Sequence, residues 1–297
     1  MNSSVAWQNW QLDLPQRWSP VRLEGDYAQG LALFSDLHRP RLGLRWVRHP
    51  RKIAPTDFLT QLMRQEVGAV ASLEAKPHRL NGWDASLLYL EPEPPGRDVW
   101  IAHHALSDRT LILVYHVHRR ERLLAQNILP TLRDLPIDQP TPWSIFELSC
   151  IMDAGMALDG HRLNAGDLRL DFAVPRRRPA RRLTLRQIAV AQLALQRMPL
   201  ENWLAQQQRA LGRHYRAIGP TTSVELDCHD RTLRGLACPS RRRRRFFFMG
   251  LPPQWMTYAL HDAARDRLVF VQSTHDDLAR RVLATIGWAT EDDNVTR

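Results

Sequence analysis

The stretch Trp10-Gln11-Leu12-Asp13-Leu14-Pro15 shapes the whole interpretation, because the pattern that it begins returns in the second half of the chain. Apolar and polar residues alternate through it, which is typical of a half-buried strand that the proline ends. The second half begins similarly at Trp143-Ser144-Ile145-Phe146, and Ser107–Val114 is repeated as Ala264–Val271. The sequence therefore predicts a tandem duplication. The tryptophans matched in this way are Trp10 with Trp143 and Trp100 with Trp255.

The length of the chain and the repeat together predict two domains. A chain of 297 residues lies where a single core stops growing. Three prolines fall within residues 135–142, which favours an extended and fairly stiff linker. We expect a first domain over 1–136, a linker over 137–142, a second domain over 143–290 and a polar tail over 291–297.

Each copy is predicted to contain three strands, a helix, three strands and a helix. Short turns between strands favour antiparallel pairing, with the helices covering the sheet. The sequence thus predicts the α+β class, as two tandem antiparallel sheets covered by helices and related by a pseudo-two-fold axis. In the first copy the strands are expected at Trp10–Leu14, Leu31–Phe34, Leu42–Trp46, Ala85–Leu90, Val99–Ala102 and Leu111–Val117, and the helices after Thr56 and over Arg120–Leu132.

The opening of the chain resembles the PsbP-like superfamily. The resemblance lies in Trp10-x-Leu12-x-Leu14-Pro15-x-x-Trp18, in the strand that follows Gly30, and in Pro40–Trp46. That superfamily includes a photosystem oxygen-evolving subunit and a nuclear import factor that binds the Ran GTPase. The resemblance implies a PsbP-like sandwich of sheet and helices that binds proteins and does not catalyse a reaction.

The positive charge is concentrated in the second copy. The formal charge is +10, and arginine supplies 39 of the 41 basic residues, as a GC-rich genome would produce. Residues 1–140 nevertheless carry a net charge of only +2, against +8 for residues 141–297. The excess positive charge lies in two runs of arginines with one adjoining aromatic residue, namely Arg176, Arg177, Arg178, Arg181 and Arg182, then Arg241, Arg242, Arg243, Arg244 and Arg245 with Phe246. We expect the second run to lie on a turn and the aromatic residues after it on a strand.

These runs support two hypotheses about function, beside the simple one that they are solvated loops. Adjacent arginines repel one another, and an anionic partner relieves that cost. A guanidinium group binds carboxylates and phosphates through paired hydrogen bonds. The first hypothesis is a non-enzymatic binding or scaffold protein whose second domain presents a basic surface to an acidic protein partner or neighbouring subunit. The second is a nucleic-acid-associated protein that clamps phosphates, with Phe246 available to stack on a base.

A third hypothesis is a metal-dependent enzyme. His116 and His118 share one face of a predicted strand, with His103 and His104 on the neighbouring one. The pair Cys228 and Cys238 has the wrong spacing for a structural zinc site. The sequence contains no nucleophile elbow, phosphate-binding loop or zinc-protease motif. We therefore expect no enzymatic activity, no cofactor and no bound metal.

The expected location is the cytoplasm. No apolar run reaches the roughly 18 residues that span a membrane, and the first residues do not form a signal peptide. Three cysteines are too few for a disulfide framework. The sequence does not indicate an oligomeric state.

Overall fold

The computed structural model divides into two compact units. The first is Met1–Pro136 with Ser144–Phe146, and the second is Ile137–Trp143 with Glu147–Arg297. The residues that the structure describes are 2–48, 75–80, 82–90, 97–116, 127–164, 166–174, 181–196, 198–210, 215–229, 231–242 and 254–288.

In the described residues, the first unit contains strands, two α-helical residues at Asn127 and Ile128, and one 3₁₀ helix. Its large sheet has the order β3-β4-β5-β9-β8-β7-β6, and a smaller group β10-β2-β1 lies beside the Ser144 segment, which pairs with Ala6. The strands are β1 (Asn2–Trp7), β2 (Trp10–Pro15), β3 (Ser19–Gly25), β4 (Gln29–Ser35), β5 (Pro40–Arg48), β6 (Ala75–Leu80), β7 (Trp83–Leu90), β8 (Arg97–His104), β9 (Arg109–His116) and β10 (Arg133–Asp134), and the 3₁₀ helix is Leu129–Thr131. Strand β11 (Thr141–Ile145) is divided, with Thr141–Trp143 in the second unit and Ser144 and Ile145 in the first.

The second unit contains a similar sheet and three α-helices in its described residues. The order of its large sheet is β13-β14-β15-β20-β19-β18, and β18 pairs along its other edge with both β16 and β17. The strands are β12 (Leu148–Met152), β13 (Ala157–Asn164), β14 (Asp167–Ala173), β15 (Arg182–Ala189), β16 (Tyr215–Ala217), β17 (Thr222–Cys228), β18 (Arg231–Arg242), β19 (Gln254–Asp262), β20 (Arg267–Ser273) and β21 (Gly287–Trp288), and the helices are α1 (Ala191–Leu195), α2 (Leu200–Ala210) and α3 (Asp276–Ala284).

The order of strands is the same in the two large sheets. In each large sheet, three consecutive strands are followed by the strand of that sheet that comes last in the chain, β9 or β20. The order then runs backwards through the strands that precede it. The turn before the last strand also repeats, because Asp108 and Asp266 both have a φ of 53°. Arg109 and Arg267 follow these turns as the first residues of β9 and β20.

The tryptophan matches made from the sequence are displaced in the structure. Trp10 begins the second strand of its hairpin, whereas Trp143 lies inside the first strand of the hairpin β11–β12, so that Trp10 corresponds to Leu148. Tryptophan at a strand start was therefore a poor landmark, because the two hairpins place it on different strands.

The second matched pair is displaced along one strand. Trp100 lies opposite Leu113, and the residue that corresponds to Leu113 by the shared turn is Val271. Val271 lies opposite Tyr258, so that Trp100 corresponds to Tyr258 and not to Trp255.

The predicted α+β sandwich covered by helices is wrong, because the described residues are mostly antiparallel strands. The physical reason lies in the hairpins that begin each copy, whose aromatic side chains bury one sheet face. In the first unit, Trp10 packs against Phe34 and Trp46, with ring centroids 6.5 and 5.8 Å apart. In the second, Trp143 meets Phe172 at 4.9 Å. On the sheet faces that these two hairpins contact, strands thus do the covering that was assigned to helices.

In the second unit, helix α2 contributes to the core of the described residues. Trp203 of α2 packs edge-on against Phe270 of β20 at 6.2 Å, within a cluster of buried apolar residues. The helix predicted after Thr56 lies outside the described residues. In the described part of the helix predicted over 120–132, Asn127 and Ile128 are α-helical and Leu129–Thr131 form a 3₁₀ helix. Within the described ranges, no helix is long and apolar enough to cross a membrane.

Candidate functional site

The first arginine run belongs to the connection between β14 and β15. Ala173 and Arg182 form the last pair of this hairpin, and the Val174 amide donates to the Arg181 carbonyl at 3.0 Å. Arg181 and Arg182 are therefore placed where β15 begins. Arg176, Arg177 and Arg178 lie outside the described residues.

The second run continues a strand, so that the predicted turn over Arg241–Arg245 is wrong at its beginning. Arg241 and Arg242 are the last residues of β18, held between β16 and β19 by ladder pairing. Position 241 lies opposite Arg216 on β16 and opposite Gln254 on β19. Arg243, Arg244, Arg245 and Phe246 lie outside the described residues.

The structure brings the described ends of both runs to the same end of one sheet. Leu183 of β15 lies opposite Ser273 of β20, Ser273 lies opposite Met256 of β19, and Met256 lies opposite Pro239 of β18. The β15 and β18 backbones are therefore about 14 Å apart at this end, because neighbouring strands are spaced by about 4.8 Å. We call this the basic end, and its described arginines are Arg181, Arg182, Arg216, Arg241 and Arg242.

Some arginines near the basic end are already paired with carboxylates. Asp153 binds Arg181 at 3.2 Å and Arg281 of α3 at 2.7 Å, and Arg281 also binds Asp277 at 2.8 Å. These hydrogen bonds, first to Asp153 and then to Asp277, raise the pKa of Arg281 above its usual range. Asp153 was not among the predicted site residues, because a single aspartate next to a turn carries no signal in the sequence.

Two arginines of the basic end differ from these. Arg182 is exposed, and its guanidinium makes no ion pair within the described part of the chain. Arg241 is half-buried, and its Nε is shielded from solvent without a hydrogen-bond partner among the residues that the structure describes. A buried donor without a partner costs about 1–3 kcal/mol.

The opposite end of the same sheet has balanced charges. A cleft of about 740 Å³ lies there between the start of α2, strands β17 and β18, and the β19–β20 turn. Its buried Asp262 pairs with Arg231 at 3.2 Å, and the exposed Arg234 and Glu225 pair at 2.7 Å. The unpaired positive charge is therefore a property of the basic end.

The predicted histidine cluster is only partly described. His103 Nδ1 lies 3.2 Å from Thr110 Oγ1, and His104 Nδ1 lies 3.1 Å from Ser107 Oγ. His116 ends β9, and His118 lies outside the described residues. Among the described residues, no three His, Cys, Asp or Glu side chains meet in a way that would hold a metal ion.

The two cysteines considered for zinc are far apart. Cys228 lies opposite Arg231, at the far end of β18 from the run, whereas Cys238 is seven residues further along that strand. A strand advances about 3.3 Å per residue, which separates the two positions by about 23 Å. They cannot bind the same ion in this fold.

All three cysteines are buried, and we predict that they resist thiol reagents. Burial raises the pKa of Cys150 to about 12, and burial with the nearby Asp227 and Asp262 carboxylates raises the pKa of Cys228 to about 11. The thiolate is the reacting species, so that the native protein at pH 8 should react slowly with a disulfide reagent such as DTNB. All three thiols should react at once in denaturant. Rapid modification of native Cys150 would contradict its burial.

Comparisons with known proteins do not assign the chain to a family. No protein-family model matches it, and no curated protein matches it. Among solved structures, it is similar to the apo form of TplEi, an immunity protein of the T6SS from Pseudomonas aeruginosa. The identity is 10%, the match covers 97% of each chain, and the TM-score is 0.34. A TM-score this low does not establish a common fold.

Proposed function

We propose that this chain is a non-enzymatic binding protein whose second unit presents the basic end to an acidic protein partner or a neighbouring subunit. The observation that carries the proposal is the convergence of the two arginine runs, 59 residues apart in the chain from Arg182 to Arg241, at one end of one sheet. A cytoplasmic location is part of the same proposal.

The local chemistry supports a carboxylate-bearing partner. The exposed and half-buried guanidinium groups beside β15 and α3 bind carboxylates wherever the chain supplies them, as Asp153 shows with Arg181 and Arg281. Arg182 and Arg241 have the same chemistry and no ion pair within the described residues. Hydrogen bonds to charged groups contribute about 1.5–3 kcal/mol each, which is enough for a partner to be held by a few of them.

Replacing Arg241, Arg243 and Arg245 together with glutamine should weaken binding to immobilised polyglutamate by about tenfold or more, since charge-assisted bonds are lost. The free energy of unfolding should change by less than about 1 kcal/mol, because Arg241 makes no ion pair within the described residues and its shielded Nε has no hydrogen-bond partner there. Binding is measured by surface plasmon resonance and stability by urea unfolding. The matched control is Arg234→Gln, which removes a charge from a side chain that is 86% exposed at the other end of the sheet.

The nucleic-acid alternative is tested by measuring, with the same surface plasmon resonance assay, how tightly the protein binds an immobilised short DNA duplex. Each phosphate contact would contribute a log–log salt slope of about −0.9. Rim charges in a protein interface would instead act mainly on the association rate. If the triple variant binds polyglutamate and DNA as tightly as the unaltered protein, the arginine run is a solvated loop and the proposal fails.

A further inference from the structure

We propose that strand β17 (Thr222–Cys228) is a docking edge, to which a partner adds an antiparallel strand that alternates basic and apolar residues. The partner would be recognised through its backbone and through the carboxylates of Glu225 and Asp227. This surface is distinct from the basic end, because β17 pairs with β18 only over Arg231–Ala237.

The outer edge of β17 lacks the features that protect the other outer strands of the two large sheets. Strand β3 has a bulge beside Pro20, β6 contains Pro77, β13 has a bulge after Leu158, and β16 is only three residues long. Such features hinder the pairing of an outer strand with another chain. In contrast, β17 pairs with β18 through seven consecutive residues without a bulge, contains no proline, and has no strand on its other side among the described residues.

The hairpin of β17 and β18 determines which backbone groups of β17 face outwards. Cys228 lies opposite Arg231, and only two residues separate them in the chain. A two-residue hairpin loop is closed by a hydrogen-bonded pair, and such pairs alternate with non-bonded ones along an antiparallel ladder. The N–H and C=O groups of Ser223, Glu225 and Asp227 therefore point away from β18, where no described strand or turn pairs with them.

The acidic side chains of β17 select a basic partner. Glu225 and Asp227 lie on one face of the sheet, opposite Arg234 and Thr232 of β18. The pair of Glu225 with Arg234 contributes little to stability, because the two side chains are 60% and 86% exposed. Asp227 is exposed, accepts a hydrogen bond from Thr232 Oγ1 at 2.7 Å and makes no ion pair within the described residues. A lysine or arginine directly opposite each carboxylate would therefore be favoured.

The other face of β17 favours apolar residues in the added strand. Val224 and Leu226 lie on that face, opposite Gly235 and Leu233, and are half-buried beside helix α3. Residues of the added strand next to them would bury apolar surface, and β-branched residues suit such positions. The added strand should thus alternate basic and apolar residues, with its central basic residue opposite Glu225.

The same charges oppose the pairing of two copies of β17. An antiparallel pair of β17 strands centred on Glu225 would place two glutamates opposite each other, and like charges in directly opposed positions are destabilising. An acidic segment or a nucleic-acid strand would be repelled in the same way. The docking edge therefore fits a basic polypeptide better than a second copy of this chain.

Two seven-residue peptides of the same composition test the proposal. One, Thr-Lys-Val-Lys-Val-Lys-Thr, alternates basic and apolar residues, and the other, Thr-Lys-Lys-Lys-Val-Val-Thr, groups them. We expect the unaltered protein to bind the alternating peptide about tenfold more tightly, because only that peptide places lysines opposite both carboxylates and valines beside Val224 and Leu226. Affinities are measured by fluorescence anisotropy at one salt concentration.

Removal of single hydrogen bonds separates strand addition from simple attraction between charges. N-methylation of the central lysine blocks an N–H that faces β17 and should weaken binding by about tenfold, whereas N-methylation of a valine, whose N–H faces away, should change it little. Ser223→Pro removes an outward donor of the protein without interrupting the ladder with β18, and should also weaken binding. Ser223→Ala is the control that keeps this donor. Thermal melts check that each variant is folded.

Two single replacements test the role of the carboxylates. Asp227→Asn should weaken binding of the alternating peptide by about fivefold, because one charge pair is lost while the bond from Thr232 is kept. Arg234→Gln should instead tighten binding by about twofold, because Glu225 no longer shares its charge with Arg234. Binding to polyglutamate at the basic end should not change in either variant, so that the two surfaces are tested separately.

Three results would overturn the docking edge. Equal binding of the two peptides, or equal effects of N-methylation at lysine and at valine, would show that the protein attracts lysines without forming a ladder. Unchanged binding after Asp227→Asn, or weaker binding after Arg234→Gln, would show that the carboxylates of β17 do not select the partner. Absence of binding of the alternating peptide at millimolar concentration would show that β17 does not accept an added strand.

Discussion

Replacing Arg109 with methionine is expected to lower the free energy of unfolding by about 3–5 kcal/mol, because it leaves a buried carboxylate without its counter-ion. The Arg109 side chain is completely buried and binds Asp134, which is 3% exposed, at 2.9 Å. It also donates to the carbonyl of Asn9 at 2.7 Å and lies 4.5 Å from the centre of the Tyr27 ring. Arg109 thus joins the last strand of the sheet to the turn of the first hairpin.

The chain supplies a matched control for this prediction. Arg267 follows the equivalent turn of the second unit and pairs with Glu147 of the β11–β12 hairpin, but the two side chains are 20% and 53% exposed. Arg267→Met should cost less than about 1 kcal/mol, as is usual for exposed pairs. Urea unfolding followed by circular dichroism measures both. Equal losses in the two variants would show that burial of the Arg109 pair is not what stabilises the first unit.

A second variant at the same site tests the physical reason. Burial lowers the pKa of Arg109 against the opposing effect of Asp134, which shows how unfavourable the desolvated charge is. Replacing both partners with apolar residues, as Arg109→Met with Asp134→Leu, removes both charges and should recover most of the lost stability. A double variant as unstable as the single one would instead point to the hydrogen bond with Asn9.

The largest effect from packing is expected at Trp10. Trp10→Ala should lower the free energy of unfolding by about 3–5 kcal/mol, because a fully buried ring between Phe34 and Trp46 is replaced by a cavity. Leu37→Ala is the control, since Leu37 is 94% exposed and its loss should change stability by less than about 0.5 kcal/mol. Urea unfolding monitored by tryptophan fluorescence and circular dichroism measures the two variants. A loss below 1 kcal/mol at Trp10 would mean that the hairpin does not cover the sheet.

Individual strands were predicted well where alternation and turn residues agree. The predicted strand at Trp10–Leu14 is β2, and those at Leu31–Phe34 and Leu42–Trp46 are β4 and β5. Strand β3 was missed because Ser19-Pro20-Val21-Arg22 reads as a turn, and its bulge between Pro20 and Arg22 interrupts the alternation. The alternation of apolar and polar residues identifies a strand only when it continues without interruption along that strand.

The layer architecture was not predictable in the same way. Whether a helix or a second group of strands covers a sheet depends on which distant apolar surfaces meet, and periodicity does not report that. Trp10 and Trp143 were matched to each other by their place in the sequence pattern, but the partners that they pack against, Phe34 and Phe172, lie on other strands. The sandwich expectation failed at this step.

By itself, the sequence determined the strands with a clear alternation, the repeated turns before Arg109 and Arg267, and the concentration of arginine in the second half, because each of these depends on residues close together in the chain. Only the tertiary structure decided that Arg182 and Arg241 share one end of one sheet, that Asp153 already holds Arg181, and that Arg109 is buried. These facts depend on strand order and register, which are set by pairing between residues far apart in the chain.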